Sequence, residues 1–416
     1  MRLIHTSDWH LGQNFYGKSR AKEHQYFLTW LLTQVKQQQI DAVIVAGDIF
    51  DTTAPPSYAR EMYFDFIAKI HQVNCQLIVI AGNHDSVAML TESKPVLSHL
   101  STHVIALASD KSEQQVITLT DSQGMASAII CAIPFIRPRD VLLSKAGQSA
   151  NQKQADLQQA ISDYYQKIVT CAQKKRQQLN VTIPIIATGH LTTVGASCSE
   201  SVREIYIGSL SAFPASAFPE VDYIALGHIH RGQKVAKKDH IRYSGSPIAL
   251  SFDEAERAKQ VLMVDFKQGK LCQVSPLTVP CLQPLAMLKT TLTDLVTDVQ
   301  KLIAKFSTQL SHENIKIWLD VEIINNDYLT DLQQRIESLV DGYPVEILRV
   351  RRASSQQKQA SMTIENTTLN EISEIEVFEK RLALETWETD EEKQQKKRVE
   401  TLYKQIVNDT KAELKV

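Results

Sequence analysis

The chain has 416 residues, more than one hydrophobic core usually organises, which predicts an enzyme core with one or two smaller modules. Hydrophobic residues make up 43% and charged residues 22%, a balance that excludes a disordered or fibrous protein. The formal net charge is -2, so any contact with a polyanion must be local or shared with another subunit.

The start of the chain and the cysteines bear on the compartment. The segment MRLIHTSDWH lacks the basic start and apolar run of a signal peptide, and no stretch reaches the ~18 apolar residues of a membrane span. We therefore expect a cytoplasmic protein that contacts no membrane. The six cysteines contain no CxxC pair, which argues against a zinc knuckle and a disulfide framework and predicts reduced thiols in or near the core.

The first half of the chain alternates short apolar runs with helical patterns, which indicates an α/β sheet covered by helices. RLIHTSD predicts the first strand, an apolar stripe over residues 21–39 predicts a helix, and DAVIVAGD predicts a buried strand. The unit repeats with a helix through Phe66 and Ile70 and a strand at QLIVIAGNHD. Further strands are predicted at SAIICAIPF, PIIATGH and VDYIALGHIH, with a long helical pattern from Leu157 to Leu179.

A cluster of prolines between residues 276 and 284 predicts a connector, so the enzyme core is expected to span residues 1–275. Residues 285–352 alternate helical and strand patterns and are predicted to form a small α+β module. The polar stretch 353–368 is predicted to be a linker. Residues 369–416 are predicted to form two charged helices whose apolar stripes are too thin to support a domain, so they dock on another chain or pack back on their own core.

Five short motifs carry the candidate chemistry, and each lies at or just after the carboxyl end of a predicted strand, where open α/β sheets bind ligands. The motifs are SDWHLG, GDIFD, GNHD, TGHL and LGHIH. In chain order they offer Asp8, His10, Asp48, Asn83, His84, His190, His228 and His230. Because side chains two residues apart on a strand share a face, the Asp-x-His and His-x-His pairs are each predicted to turn two ligands towards one site.

Carboxylate, imidazole and carboxamide groups together suit Mn²⁺, Fe²⁺ or Zn²⁺ better than Ca²⁺ or Mg²⁺. Seven ligands are too many for one ion, whereas two ions about 3.5 to 4 Å apart and bridged by a carboxylate would use them all and clamp a phosphoester for in-line hydrolysis. Each motif alone has an ordinary structural explanation, such as a strand-to-turn signal or a hydrogen-bonded histidine. The occurrence of all five in order, each after its own strand, favours a metal centre.

On these motifs the sequence resembles the calcineurin-like metallophosphoesterase superfamily, and within it the DNA nucleases that work with an SMC-like ATPase. The resemblance implies an α/β fold, a β-sandwich flanked by helices, with a small α+β capping domain that binds DNA and C-terminal helices that bind the ATPase. It implies that the first metal is held by Asp8, His10, Asp48 and His230, and the second by the bridging Asp48 with Asn83, His190 and His228. His84 matches the catalytic histidine that meets the phosphate or leaving oxygen without binding metal, and Asp51 stands where a partner can orient that histidine.

The same resemblance implies the activity and the partners. It implies two divalent ions, with Mn²⁺ expected, and a metal-dependent DNA nuclease with ATP-dependent double-strand 3'-5' exonuclease and single-strand or hairpin endonuclease activity. Its roles would be DNA repair, recombination and replication. The coiled-coil ATPase would form a heterotetramer with it, in which the nuclease is a homodimer. Lys18, Arg20, Arg137, Arg139 and Arg203 are candidates for phosphate contacts, although ordinary solvated surface explains each equally well.

Three other functions share part of the pattern. Protein phosphatases of the superfamily continue GD into a segment that ends in Asp-Arg-Gly and carry GNHE, whereas this chain has GDIFD and GNHD. A small-molecule phosphodiesterase would explain the core but not residues 285–352 and the tail. A scaffold without metal would be expected to lose ligands, and all seven are present. The pattern therefore favours the nuclease, with another phosphoesterase activity as the alternative.

Overall fold

A computed structural model describes residues 1–142, 149–202, 212–310, 315–324 and 331–353, together with isolated positions between 378 and 403. The predicted linker and the predicted tail helices therefore lie almost wholly outside the described residues, as does Arg203. The chain divides into two compact units, Met1–Arg351 and Arg352–Val416, and the first holds the architecture that follows. None of the described helices combines the length and the apolar character that crossing a bilayer requires.

The first half of the chain supplies the following elements: β1 (Arg2–Thr6), β2 (Asn14–Phe15), β3 (Lys18–Ser19), α1 (Ala21–Gln37), β4 (Ala42–Ala46), α2 (Ser57–Gln72), β5 (Gln76–Ile80), α3 (Val87–Leu97), β6 (Thr102–Ile105), β7 (Val116–Thr120), β8 (Ala126–Cys131), α4 (Pro138–Val141), α5 (Ala150–Leu179) and β9 (Ile185–His190). The second half supplies β10 (Tyr223–Gly227), β11 (Gln233–Val235), β12 (Lys238–Tyr243), β13 (Gln260–Lys267), β14 (Lys270–Thr278), β15 (Leu285–Thr290), α6 (Leu295–Lys305), α7 (Ser307–Leu310), β16 (Ile317–Ile323), α8 (Leu332–Leu339) and β17 (Val345–Arg352). Every strand and helix named in the sequence analysis up to residue 352 is present. Helix α3 and the strands β6, β7 and β11 to β14 were not predicted.

Two mixed sheets form the core. One has the order β14-β13-β1-β4-β5-β6 and the other the order β11-β12-β10-β9-β8-β7. In the first sheet β1, β4, β5 and β6 run parallel, and β13 pairs antiparallel with β1. In the second sheet β8, β9, β10 and β12 run parallel. Parallel strands end at the same edge, so each sheet collects its strand-end loops on one side.

The apolar side chains form three layers of core. Between the sheets lie residues from both, among them Ile44, Ile78, Ile130, Ile186 and Ala225. A second cluster packs α1, α2 and α3 on the outer face of the first sheet, and a third packs α5 on the outer face of the second. Strands buried on both faces read as continuous apolar runs, which explains DAVIVAGD and QLIVIAGNHD. The arrangement is the predicted β-sandwich flanked by helices.

The small module has its own core. The sheet β15-β16-β17 packs against α6 and α8 through Leu295, Val299, Leu319 and Ile336. The prediction that Pro276 belongs to a connector was wrong, because it lies within β14. That strand is at the edge of its sheet, where a residue without an N–H costs no ladder hydrogen bond. The division of Met1–Arg351 into domains at residues 275 and 285 stays a prediction.

A buried arginine joins the module to the core. Arg20 is 1% exposed, pairs with Glu23 and donates to the Ala249 carbonyl oxygen at 2.8 Å. Its guanidinium lies 5.0 Å from the ring centroid of Phe15 and 5.7 Å from that of Trp318 in β16. Arg20 is therefore a structural residue and not the solvated phosphate contact that was considered. The cysteines are all free, but only Cys75 and Cys131 are buried, while Cys198, Cys272 and Cys281 are exposed.

Candidate metal centre

The five motifs meet at one edge of the sandwich. SDWHLG, GDIFD and GNHD follow β1, β4 and β5 of the first sheet, while TGHL and LGHIH follow β9 and β10 of the second. Because the sheets pack face to face, the strand-end loops of one sheet approach those of the other. Asp8, His10, Asp48, His190, His228 and His230 are each 3% exposed or less.

Strand alternation does not aim the paired ligands, contrary to the prediction. β1 ends at Thr6 and β10 ends at Gly227, so the Asp-x-His and His-x-His pairs lie in loops. Asp8 and His10 have φ angles of 55° and 47°, and His228 has a φ of 93°. Left-handed backbone is costly for residues other than glycine and clusters at functional sites. The loops therefore bend in and out of this conformation to bring both side chains of each pair inward.

Three overlapping groups of side chains could each hold a cation. They are Asp8, His10 and His230; His10, Asp48 and His84; and Asp48, His190 and His228. Within each group the candidate ligand atoms lie within 4.8 Å of one another. Asp48 belongs to two groups, which places it between two ion positions, as a bridging carboxylate requires.

Asn83 completes the Asp48, His190 and His228 group. Its Oδ1 lies 2.9 Å from His190 Nε2 and 3.2 Å from His228 Nδ1. The other ring nitrogen of His190 donates to the Ala46 carbonyl oxygen at 3.0 Å, since a carbonyl can only accept. His190 Nε2 is thus left unprotonated in the neutral ring and can ligate a cation.

A buried nitrogen without a partner tests whether the residues fit a metal. His10 Nδ1 lies 3.1 Å from Asp51 Oδ1 and donates to it, which leaves Nε2 pointing into the site. Among the described residues, His10 Nε2 and His228 Nε2 are buried without a hydrogen-bond partner. A buried polar atom left unpaired is costly, and a divalent ion would pair with a lone pair on these imidazoles. The donor set therefore fits a borderline divalent metal.

Asp51 acts on His10 through its carboxylate and on the candidate catalytic residue His84 through its backbone. His84 Nδ1 donates to the Asp51 carbonyl oxygen at 2.7 Å, and the His84 ring lies 4.8 Å from the His10 ring. The predicted orienting role of Asp51 thus has a contact with His84, made by the main chain and not by the side chain. His84 also belongs to one of the three groups, so its role as a ligand or as an acid stays open to experiment.

Charge separation within the metal-free site is marked. Burial disfavours ionisation of Asp48, but His190 outweighs it and holds the pKa of Asp48 well below its usual range. Burial likewise disfavours the His190 imidazolium, yet the Asp48 carboxylate raises the pKa of His190 to about 9. Their closest atoms are 3.2 Å apart. A cation that replaces this proton would enter a site whose bridging carboxylate is already ionised.

The glycines of two motifs are required by close approach. A Cβ on Gly47, which has a φ of +90°, would overlap the His190 imidazole. A Cβ on Gly82 would overlap the carboxylate of Asp48. Only glycine lets these chain segments lie so close to the ligands.

Two buried carboxylates around the site had no predicted role. Asp85, the last residue of GNHD, accepts from the backbone N–H groups of Gly82, Ile49 and Phe50 and so ties two motif loops together. Burial, with a contribution from Asp48, raises the pKa of Asp85 to about 6. Glu254 lies beside His230, with 3.2 Å between Oε1 and Nδ1. The position of Asp85 in a motif could have indicated its role, whereas nothing local in the sequence marks Glu254.

Comparison with known proteins gives consistent matches. The family described as calcineurin-like phosphoesterase matches residues 1–232, and the family described as type 5 capsule protein repressor C-terminal domain matches residues 281–386. The SbcD component of nuclease SbcCD from Escherichia coli is 50% identical over 396 residues, which cover 95% of this chain and 96% of that protein. The SbcD proteins from Bacillus subtilis and Rhodobacter capsulatus are each 32% identical, covering 65% and 70% of this chain and 67% and 71% of theirs.

Proposed function

Because this chain belongs to the calcineurin-like phosphoesterase family, and within it to the SbcD proteins, we propose that it is the nuclease subunit of an SbcCD complex and hydrolyses phosphodiester bonds of DNA. The observation that carries the proposal is the set of three overlapping ligand groups that share Asp48 at the meeting edge of the two sheets. One ion would be held by Asp8, His10, Asp48 and His230, and the other by Asp48, Asn83, His190 and His228.

The family uses divalent metals, and we propose Mn²⁺ as the ion in both positions, since mixed imidazole, carboxylate and carboxamide ligands suit it. Such ions, when bound, supply an activated water and neutralise charge on the phosphate. The protein contributes a fixed set of ligands in a buried site. His10 and His190 are each held through Nδ1, so their rings need no reorientation.

His84 would act on the leaving group. Its Nδ1–H is held by the Asp51 carbonyl oxygen, so an imidazolium at this position presents the Nε2 proton to the site. Transfer of that proton to the departing sugar oxygen, or a hydrogen bond to it, would avoid expulsion of an alkoxide. The His84 backbone N–H also donates to Asp48 Oδ1 at 2.9 Å, which fixes His84 relative to the bridging carboxylate.

The proposed partner is the SbcC ATPase, because a relative that matches 95% of this chain's length is named as one component of a two-protein nuclease. We propose that residues 369–416 bind SbcC and that residues 285–352 contribute to the DNA surface. A nuclease homodimer within a heterotetramer is part of this proposal. ATP hydrolysis by the partner would then give access to duplex ends.

Cleavage of end-labelled DNA tests the function. The purified chain with Mn²⁺ is expected to cut single-stranded and hairpin DNA and an activated phosphodiester, whereas 3'-5' degradation of linear duplex requires SbcC and ATP. A phosphomonoester is the discriminating substrate. Rapid hydrolysis of the monoester with no cleavage of any DNA would replace the nuclease by a phosphatase.

A further inference from the structure

A buried carboxylate outside the five motifs is connected to one of the candidate ligands. Glu254 lies in a single turn of 3-10 helix at Phe252–Glu254 and is 2% exposed. Its Oε1 accepts from Ser199 Oγ at 2.7 Å and from Ser201 Oγ, and lies 3.2 Å from His230 Nδ1. Its Oε2 accepts from Lys259 Nζ at 2.6 Å and from the Leu250 backbone N–H at 3.0 Å.

The direction of these hydrogen bonds fixes the His230 ring. Ser201 Oγ lies 2.6 Å from His230 Nδ1 and donates its only hydrogen to Glu254. The hydroxyl must then accept from His230, so Nδ1 carries the proton. Nε2 consequently holds the lone pair, in the ring that forms a ligand group with Asp8 and His10.

Lys259 completes the arrangement from the other side. Its ammonium donates to Glu254 Oε2, to Ser246 Oγ at 2.7 Å and to the His230 carbonyl oxygen at 3.0 Å, which uses all three N–H groups. Burial disfavours the Glu254 carboxylate, but Lys259 outweighs it and holds the pKa of Glu254 well below its usual range. Glu254 is therefore an acceptor only, and His230 is held at both its ring and its backbone.

We propose that Glu254, acting through Ser201 and backed by Lys259, is the positioning residue that presents His230 Nε2 to the ion shared with Asp8 and His10. The inference rests on the proposed two-metal function and extends it to residues outside the motifs. Outer partners that orient a ligating histidine typically change metal affinity about 10- to 100-fold. The effect should be confined to one of the two ions, because the hydrogen-bonded arrangement reaches His230 and not His190.

Calorimetric titration of the full-length metal-free protein with MnCl₂ tests the proposal without measuring activity. Wild type is expected to bind two ions. Ser201→Ala should weaken one of them about 10- to 100-fold and leave the other unchanged. Ser201→Thr keeps the hydroxyl and should restore the affinity. The matched control is Ser197→Ala, an exposed serine of the same segment whose hydroxyl accepts from Arg231 and contacts neither Glu254 nor His230, and it should bind as wild type does.

Glu254→Gln extends the test, because it preserves the size of the side chain while removing the charge that aligns Ser201. It should weaken the same ion, and circular dichroism checks that the fold is retained; if it unfolds, the Ser201 variants decide. Wild-type affinity for both ions in Ser201→Ala overturns the positioning role, as does equal weakening of both ions. Failure of wild type to bind two ions would instead contradict the proposed function itself.

Discussion

The Nδ1 atom of His190 lies 3.0 Å from the carbonyl oxygen of Ala46, so the last residue of β9 in one sheet is hydrogen-bonded to the last residue of β4 in the other. Two residues after Ala46, the Asp48 carboxylate lies 3.2 Å from the opposite ring nitrogen of His190. The joint between the sheets and the candidate metal centre are therefore one structure. Changes at the site can be made on the side chains without disturbing this backbone link.

Asp48→Asn is expected to abolish DNA cleavage with Mn²⁺. A neutral carboxamide between two divalent ions cannot offset their mutual repulsion, so one or both ions should be lost. Calorimetric titration should show fewer than two bound Mn²⁺, while circular dichroism should match wild type because Asp48 lies beyond the end of β4. Substantial residual cutting by a variant that still binds two ions would contradict the bridging role.

His84→Ser is expected to leave both ions bound and to slow hydrolysis by roughly 100- to 10,000-fold, the range typical for loss of a general acid. The reduction should be smaller for a substrate with an activated leaving group, since such a group departs without a proton. Parallel measurement of kcat on DNA and on the activated ester, with Mn²⁺ titration, separates the roles. Loss of one ion in this variant would make His84 a ligand.

Truncation after Arg352 is expected to separate the core chemistry from partner binding. β17 ends at Arg352 and the first compact unit ends at Arg351, so every candidate ligand and the small module are kept. The truncated protein should still cut single-stranded DNA with Mn²⁺. It should no longer co-purify with SbcC, and ATP should no longer stimulate degradation of linear duplex. If both partner binding and ATP stimulation persist, the contact with SbcC lies elsewhere.

His5 is expected to make the metal-free protein sensitive to acid. Its Nε2–H donates to the Leu226 carbonyl oxygen and its Nδ1 accepts from the Tyr223 hydroxyl, and burial lowers the pKa of His5 to about 3. The unfolded chain takes up this proton below pH ~6.5 and the native protein does not, so native stability falls with pH between those values. The contribution is about 1.4 kcal/mol per pH unit at most.

Urea unfolding of wild type and His5→Gln at several pH values between 6.5 and 4 measures this contribution. The free energy of unfolding of the variant should fall less steeply with acid than that of wild type, although the variant is less stable at neutral pH. His99→Gln, a change at an exposed histidine, is the control and should keep the wild-type slope. Equal slopes for wild type and His5→Gln would show that His5 titrates normally in the native protein.

The sequence alone predicted the elements and the motifs of this protein, because both are local. A strand buried on both faces reads as an unbroken apolar run, as in DAVIVAGD, and an amphipathic helix repeats every 3.6 residues, as in α1 and α5. The motifs follow such strands directly, so their common edge could be inferred from parallel topology. The predicted ligands Asp8, His10, Asp48, Asn83, His190, His228 and His230 lie together at that edge, while their metal-binding roles stay predictions.

Tertiary structure decided how the ligands are aimed and what holds them. The left-handed backbone of Asp8 and His10 depends on loops packed between two sheets, which no period in the sequence encodes. Ser201 and Glu254 lie 29 and 24 residues from His230, and the Arg20 guanidinium lies over Trp318 from a distant part of the chain. Such contacts between polar groups leave no periodic trace, because a buried charge requires only one partner in space and that partner can come from any part of the chain.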